Sequence, residues 1–122
     1  MLLAIVSALF AFALIASAWN PKDKASLEDY AVYVSHRESV STQTVLDILR
    51  CESGFNPKAW NKKDPNGGSM GVAQFQRNTF YGFAQKYGFD KPDIWNPFQQ
   101  INLMIYMVGD GLKYHWSCAK MI

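Results

Sequence analysis

The sequence predicts a small, mostly α-helical domain with an irregular loop or one short β-hairpin laid across an acidic residue. Three observations point there. Apolar residues recur at helical spacing over residues 27–34, 45–49 and 98–108. Helix signals bound these stretches: Ser41 or Thr42 before the second, Gly54 after it, and Asn96-Pro97 before the last. Between them, residues 55–73 are rich in Asn, Pro, Gly and Lys, and Asp64-Pro65-Asn66-Gly67-Gly68 is a dense turn signal. With 122 residues, the chain has room for one domain.

The elements follow in order. Met1 to Ala18 carries no charged side chain and ends in Ala16-Ser17-Ala18. That pattern fits a secretory signal peptide cut after Ala18, and the run is also long enough to remain as an uncleaved membrane anchor. Either reading places the rest of the chain outside the cytoplasm: secreted, periplasmic or at the cell surface. Residues 19–25 form a polar linker, and residues 26–122 form the folded domain. Ser26-Leu27-Glu28-Asp29 has the look of a capping box, opening a helix to about Glu38 with Leu27, Tyr30, Ala31 and Val34 on one stripe. The second helix turns Val45, Leu46, Ile48 and Leu49 inward and stops at Gly54 in a left-handed cap. Glu52 then falls in its last turn, where a helix C-terminus disfavours negative charge. A third helix runs from about Arg77 to Tyr87, ending at Gly88. A fourth starts at Asn96-Pro97 and carries Phe98, Ile101, Leu103, Ile105 and Val108 as the central buried helix. Gly109 and Gly111 break it, and a last turn bears Tyr114, Trp116 and Cys118.

Composition narrows the function classes. A net charge of +2 is too small to argue for nucleic acid, and none is expected as a partner; it is compatible with an anionic polymer. The two histidines, His36 and His115, lack ligand spacing, so neither metal nor cofactor is expected. The chain is expected to be a monomer. The two cysteines, Cys51 and Cys118, form a disulfide if the chain is secreted, or stay as two buried thiols. A bridge across so long a loop stabilises by about 4 kcal/mol on the chain-entropy account.

The chemistry gathers around Glu52. It ends an apolar helix, and Gly71-Val72-Ala73-Gln74-Phe75 follows with a glycine turn, an amide and an aromatic ring. A buried acid facing a polar wall is what breaking a glycosidic bond requires, because the leaving oxygen must be protonated near neutral pH. Gln74 either contacts an N-acetyl group or sugar hydroxyl, or caps the third helix. Ser53 either bonds Glu52 or ends its helix. Phe75 is a core residue or a platform, and Tyr106 faces the cleft or packs as an ordinary tyrosine. Trp60 and Trp95 sit in loops, either stacking on sugar rings or covering the core. Asp64 is either an exposed turn residue or a second carboxylate that positions water on the far face of a sugar.

Cys51-Glu52-Ser53-Gly54, Gln74-Phe75-Gln76-Arg77-Asn78-Thr79-Phe80 and Trp116-Ser117-Cys118 resemble motifs of the resuscitation-promoting factors. Glu52-Ser53-Gly54-Phe55-Asn56-Pro57 and Gly71-Val72-Ala73-Gln74 equally resemble the soluble lytic transglycosylases. Both groups belong to the lysozyme-like superfamily, and the likeness runs from about Val45 to Cys118. It implies a lysozyme-like α+β fold, a catalytic Glu52 and a Cys51–Cys118 bridge. The implied reaction cuts the bond between N-acetylmuramic acid and N-acetylglucosamine in peptidoglycan glycan strands, leaving 1,6-anhydromuramic acid. The Ala-Tyr-Asn-Ala-Gly motif usual in lytic transglycosylases is absent, so its tyrosine has no counterpart here, and residues 26–38 carry no family motif. Two alternatives stand beside this reading: a lysozyme-type hydrolase using Glu52 with Asp64, and a non-catalytic glycan-binding module.

Overall fold

The computed structural model describes residues 19–121; the expected signal peptide or anchor, residues 1–18, lies outside the described residues. Helix α1 spans Lys24–Arg37. It starts three residues earlier than the capping-box reading places it, because Asp23 and not Ser26 is the cap. The Asp23 carboxylate accepts from the Ala25 N–H at 3.4 Å, and the Ser26 hydroxyl donates to it at 3.2 Å. Trp19, assigned to a linker, packs on this helix against the rings of Tyr30 and Tyr33. Helix α2, Thr42–Ser53, opens at Ser41, whose side chain accepts from the Thr44 N–H, and closes at Gly54 with φ 61° and ψ 34°.

The expected loop or hairpin is a sheet of three two-residue strands: β1 Trp60–Asn61, β2 Ser69–Met70 and β3 Phe75–Gln76. All pairings are antiparallel, with Trp60 opposite Met70, Met70 opposite Phe75, Asn61 opposite Ser69 and Ser69 opposite Gln76. Helix α3, Arg77–Lys86, follows β3 directly. Helix α4, Pro97–Gly109, begins where the Asn96 side chain accepts from the Phe98 and Gln99 N–H groups. Two 3-10 turns, Lys113–His115 and Ser117–Met121, follow. Among the described residues, no helix is long and apolar enough to cross a membrane.

Helix α4 is the core, as its apolar pattern predicts. Ile101, Leu103, Met104, Ile105 and Met107 are fully buried, α1 packs against both α2 and α4, and α3 lies along α4. One polar residue of α4 reaches the sheet. Buried Gln100 donates from Nε2 to the Met70 carbonyl at 2.9 Å and the Ile94 carbonyl at 2.6 Å, and its Oε1 accepts from the Ala73 N–H at 2.8 Å. Gly71 makes room for it: φ is +82°, and a β-carbon there would lie 2.6 Å from the Gln100 carboxamide carbon. Gln100→Leu leaves three buried backbone groups unpartnered and is expected to cost about 3 kcal/mol, read from a urea unfolding midpoint. A loss under about 1 kcal/mol would show that the turn does not depend on this amide.

Candidate active site

The end of α2, the sheet and the last two turns enclose a cleft of about 370 Å³. Its lining includes Glu52, Asp64, Ser69, Gln74, Gln76 and Thr79, together with His115, Trp116 and Ser117. Each wall has a local cause. Glu52 is fixed because Gly54 stops α2 just beyond it and because Cys51 is disulfide-bonded to Cys118, with Cα atoms 6.0 Å apart. The bridge brings the second 3-10 turn against the acid, where the Cys118 N–H donates to Glu52 Oε1 at 3.2 Å. Trp116 anchors the same turn, donating from Nε1 to the Ala73 carbonyl at 2.8 Å.

The Glu52 carboxyl is half-buried, and its pKa is raised above the ordinary carboxylate value. Burial is the largest cause; the negative charge of Asp64 adds to it, while hydrogen bonds from the Cys118 N–H and the Ser117 side chain oppose it. The sign of the pH dependence follows. Glu52 keeps its proton to higher pH than a free glutamate, so an acid-catalysed rate falls as pH rises through that raised pKa. In the same window the folded chain binds more protons than the unfolded one, so this group's contribution to stability declines as pH rises. Melting temperatures measured across pH should show that decline, and Glu52→Gln should flatten it. An unchanged slope in the variant would contradict the assignment.

The other expected site residues divide. Asp64 is not the exposed turn residue that its surroundings suggest: it lines the cleft, half-buried, and accepts from the Ser69 hydroxyl at 2.6 Å. Gln74 also lines it. Its Nε2 donates to the carbonyls of Gly71 at 3.0 Å and Ala59 at 3.2 Å, so its side chain holds the turn, and Gln76 occupies the cap position of α3. Ser53 bonds the Val72 carbonyl, not Glu52, tying α2 to the Gly71 turn. Phe75 is buried at 2% exposure, edge-on to Phe80 and Trp116, and forms the cleft floor. Tyr106 is a correction. It lies against a separate cavity with Glu38, Val40, Tyr87 and Asp110, and its hydroxyl accepts from Arg37 at 3.3 Å. Its place on α4, well past Gln100, carries it away from the acid. Trp60 and Trp95 do not line the cleft.

Sequence reasoning missed Ser69, Gln76, Thr79, His115 and Ser117 as lining residues. Thr79 and Ser117 sat inside recognised motifs, and position there was the available signal. His115 and Ser69 gave none, since the sheet and the final turns are assembled by distant contacts. Among the described residues, no group of three or more His, Cys, Asp or Glu could hold a metal ion.

No curated protein and no solved structure matches the chain. A family model, the transglycosylase SLT domain, matches residues 29–115, a span that holds Glu52, the whole sheet and helix α4. By that match across most of its length, the chain belongs to the transglycosylase SLT domain family.

Proposed function

We propose that the protein is a peptidoglycan lytic transglycosylase with Glu52 as its general acid and base. The observation that carries this reading is one half-buried carboxyl with a raised pKa, facing a polar cleft inside a transglycosylase domain. Protonated Glu52 gives its proton to the oxygen between N-acetylmuramic acid and N-acetylglucosamine, and the bond from the anomeric carbon to that oxygen breaks. The N-acetyl carbonyl oxygen of the muramyl residue supports the electron-poor carbon. Glu52, now a carboxylate, takes the proton from the C6 hydroxyl, whose oxygen closes the 1,6-anhydro ring. One carboxyl serves both steps, and it ends protonated as it began. Gln74 and Ser69, which line the same cleft as Glu52, supply polar contacts to the sugar. The disulfide supports a site of action outside the cytoplasm, where such bonds persist.

The test is mass spectrometry of soluble fragments released from purified peptidoglycan. Fragments ending in 1,6-anhydromuramic acid support the proposal. Free reducing ends support a second reading, in which Asp64 activates water; Asp64 lines the same cleft and its charge raises the pKa of Glu52, which favours that reading. Asp64→Asn separates the two. As a neighbouring charge only, its removal lowers the pKa of Glu52, moves the alkaline limb of activity to lower pH and leaves anhydro products. As a catalytic base, its removal abolishes reducing-end products. A folded protein that binds glycan and releases nothing is a binding module.

A further inference from the structure

From the outer edge of the sheet we infer a second glycan-contact surface, built from Trp60, Trp95 and Lys62 and separate from the cleft. This rests on the proposed action on peptidoglycan. Residues paired across neighbouring strands share a face of a sheet. Trp60, Met70 and Phe75 are paired across the three strands, as are Asn61, Ser69 and Gln76; Ser69, Gln76 and Phe75 line the cleft, whereas Trp60 does not. Met70 and Phe75 are buried, but Trp60, on the outer strand, is 49% exposed. Its indole meets that of Trp95, itself 38% exposed, edge to face at 5.8 Å.

Three features mark this pair as a held surface and not two stray side chains. Trp60 Nε1 donates to the Gly67 carbonyl at 3.1 Å, fixing the ring against the turn. Gly68, at φ +100°, lets the turn come that close, since a β-carbon there would lie 2.9 Å from Trp60 Nε1 and 2.6 Å from the Asn61 carbonyl oxygen. The Lys62 ammonium stands 4.7 Å from the Trp60 ring centroid, with Lys63 beside it in the chain. Rigid, exposed tryptophans offer apolar area at low entropic cost, and contiguous patches of this kind mark binding sites. The cations select the ligand: an anionic β-linked amino-sugar strand, whose rings stack on the indoles while its carboxylates meet Lys62. The surface is continuous with the cleft wall through the sheet, since β1 pairs directly with β2, whose Ser69 lines the cleft. Neither indole lines the cleft, so the surface engages glycan outside the stretch held for cutting.

The test uses the protein carrying Glu52→Gln, so that binding is read without cutting, in co-sedimentation with insoluble peptidoglycan. Adding Trp95→Ala should weaken binding about tenfold, and adding Lys62→Glu should weaken it in a salt-sensitive way. Both side chains are exposed, and circular dichroism checks that each variant is folded. Parent binding that neither change weakens overturns this surface and leaves the cleft reading intact. A parent that does not bind peptidoglycan at all overturns both. Binding to anionic phosphatidylglycerol vesicles that needs Trp95, with wall binding unaffected, overturns it in favour of a lipid surface.

Discussion

Glu52→Gln should lower release of soluble wall fragments by at least about a thousandfold while the protein stays folded, within the range a positioned general acid supplies. The substitution preserves shape and leaves a carbonyl oxygen to accept from the Cys118 N–H, so the donor at 3.2 Å is not orphaned. What it removes is the transferable proton. An amide cannot protonate a leaving oxygen, and it cannot take the C6 hydroxyl proton afterwards, so both halves of the reaction fail together. It also removes a carboxylate that burial and Asp64 disfavour, so above neutral pH the variant should melt no lower than the parent. Activity within tenfold of the parent would remove Glu52 from the chemistry and send the search to Asp64.

The second large effect concerns the bridge. Replacing both Cys51 and Cys118 by Ser should destabilise the fold by about 4 kcal/mol, because the bridge spans 67 positions and so restrains a large part of the unfolded chain. For a domain of this size that corresponds to a fall in Tm of about 20 °C, measured by calorimetry with and without reductant. The loss should exceed pure destabilisation in one respect. The turn that Cys118 anchors also carries the N–H and the Ser117 side chain that hold Glu52, so at temperatures where the variant is still folded, its activity should fall as well. Equal Tm values for oxidised and reduced protein would show that the turn docks without the bridge, through Trp116 alone.

Much of this architecture was legible in the sequence, and the reasons are local. Ser41, Gly54 and Asn96-Pro97 mark helix ends because capping is settled within three or four residues, and the structure uses each of them so. The apolar stripe of α4 announced a buried helix because burial and periodicity are the same fact. What was not legible is what distant contacts decide. Strand β3 is two residues long and carries no alternation to read; it exists because Met70 and Ser69 pair with it. Asp64 looks like a turn residue because it is one, and only the Ser69 hydroxyl turns it toward the cleft. The helical register of Tyr106 gave no sign that Arg37, from a helix 69 positions earlier, would engage it on another face.

Gly71 and Gln100 occupy what amounts to a single volume. A β-carbon at 71 would sit in the Gln100 carboxamide, and a shorter residue at 100 would strand the Ala73 N–H and the carbonyls of Met70 and Ile94. Neither position can drift alone without passing through a poorly folded intermediate. Descendants of this chain should therefore inherit the two residues as a unit.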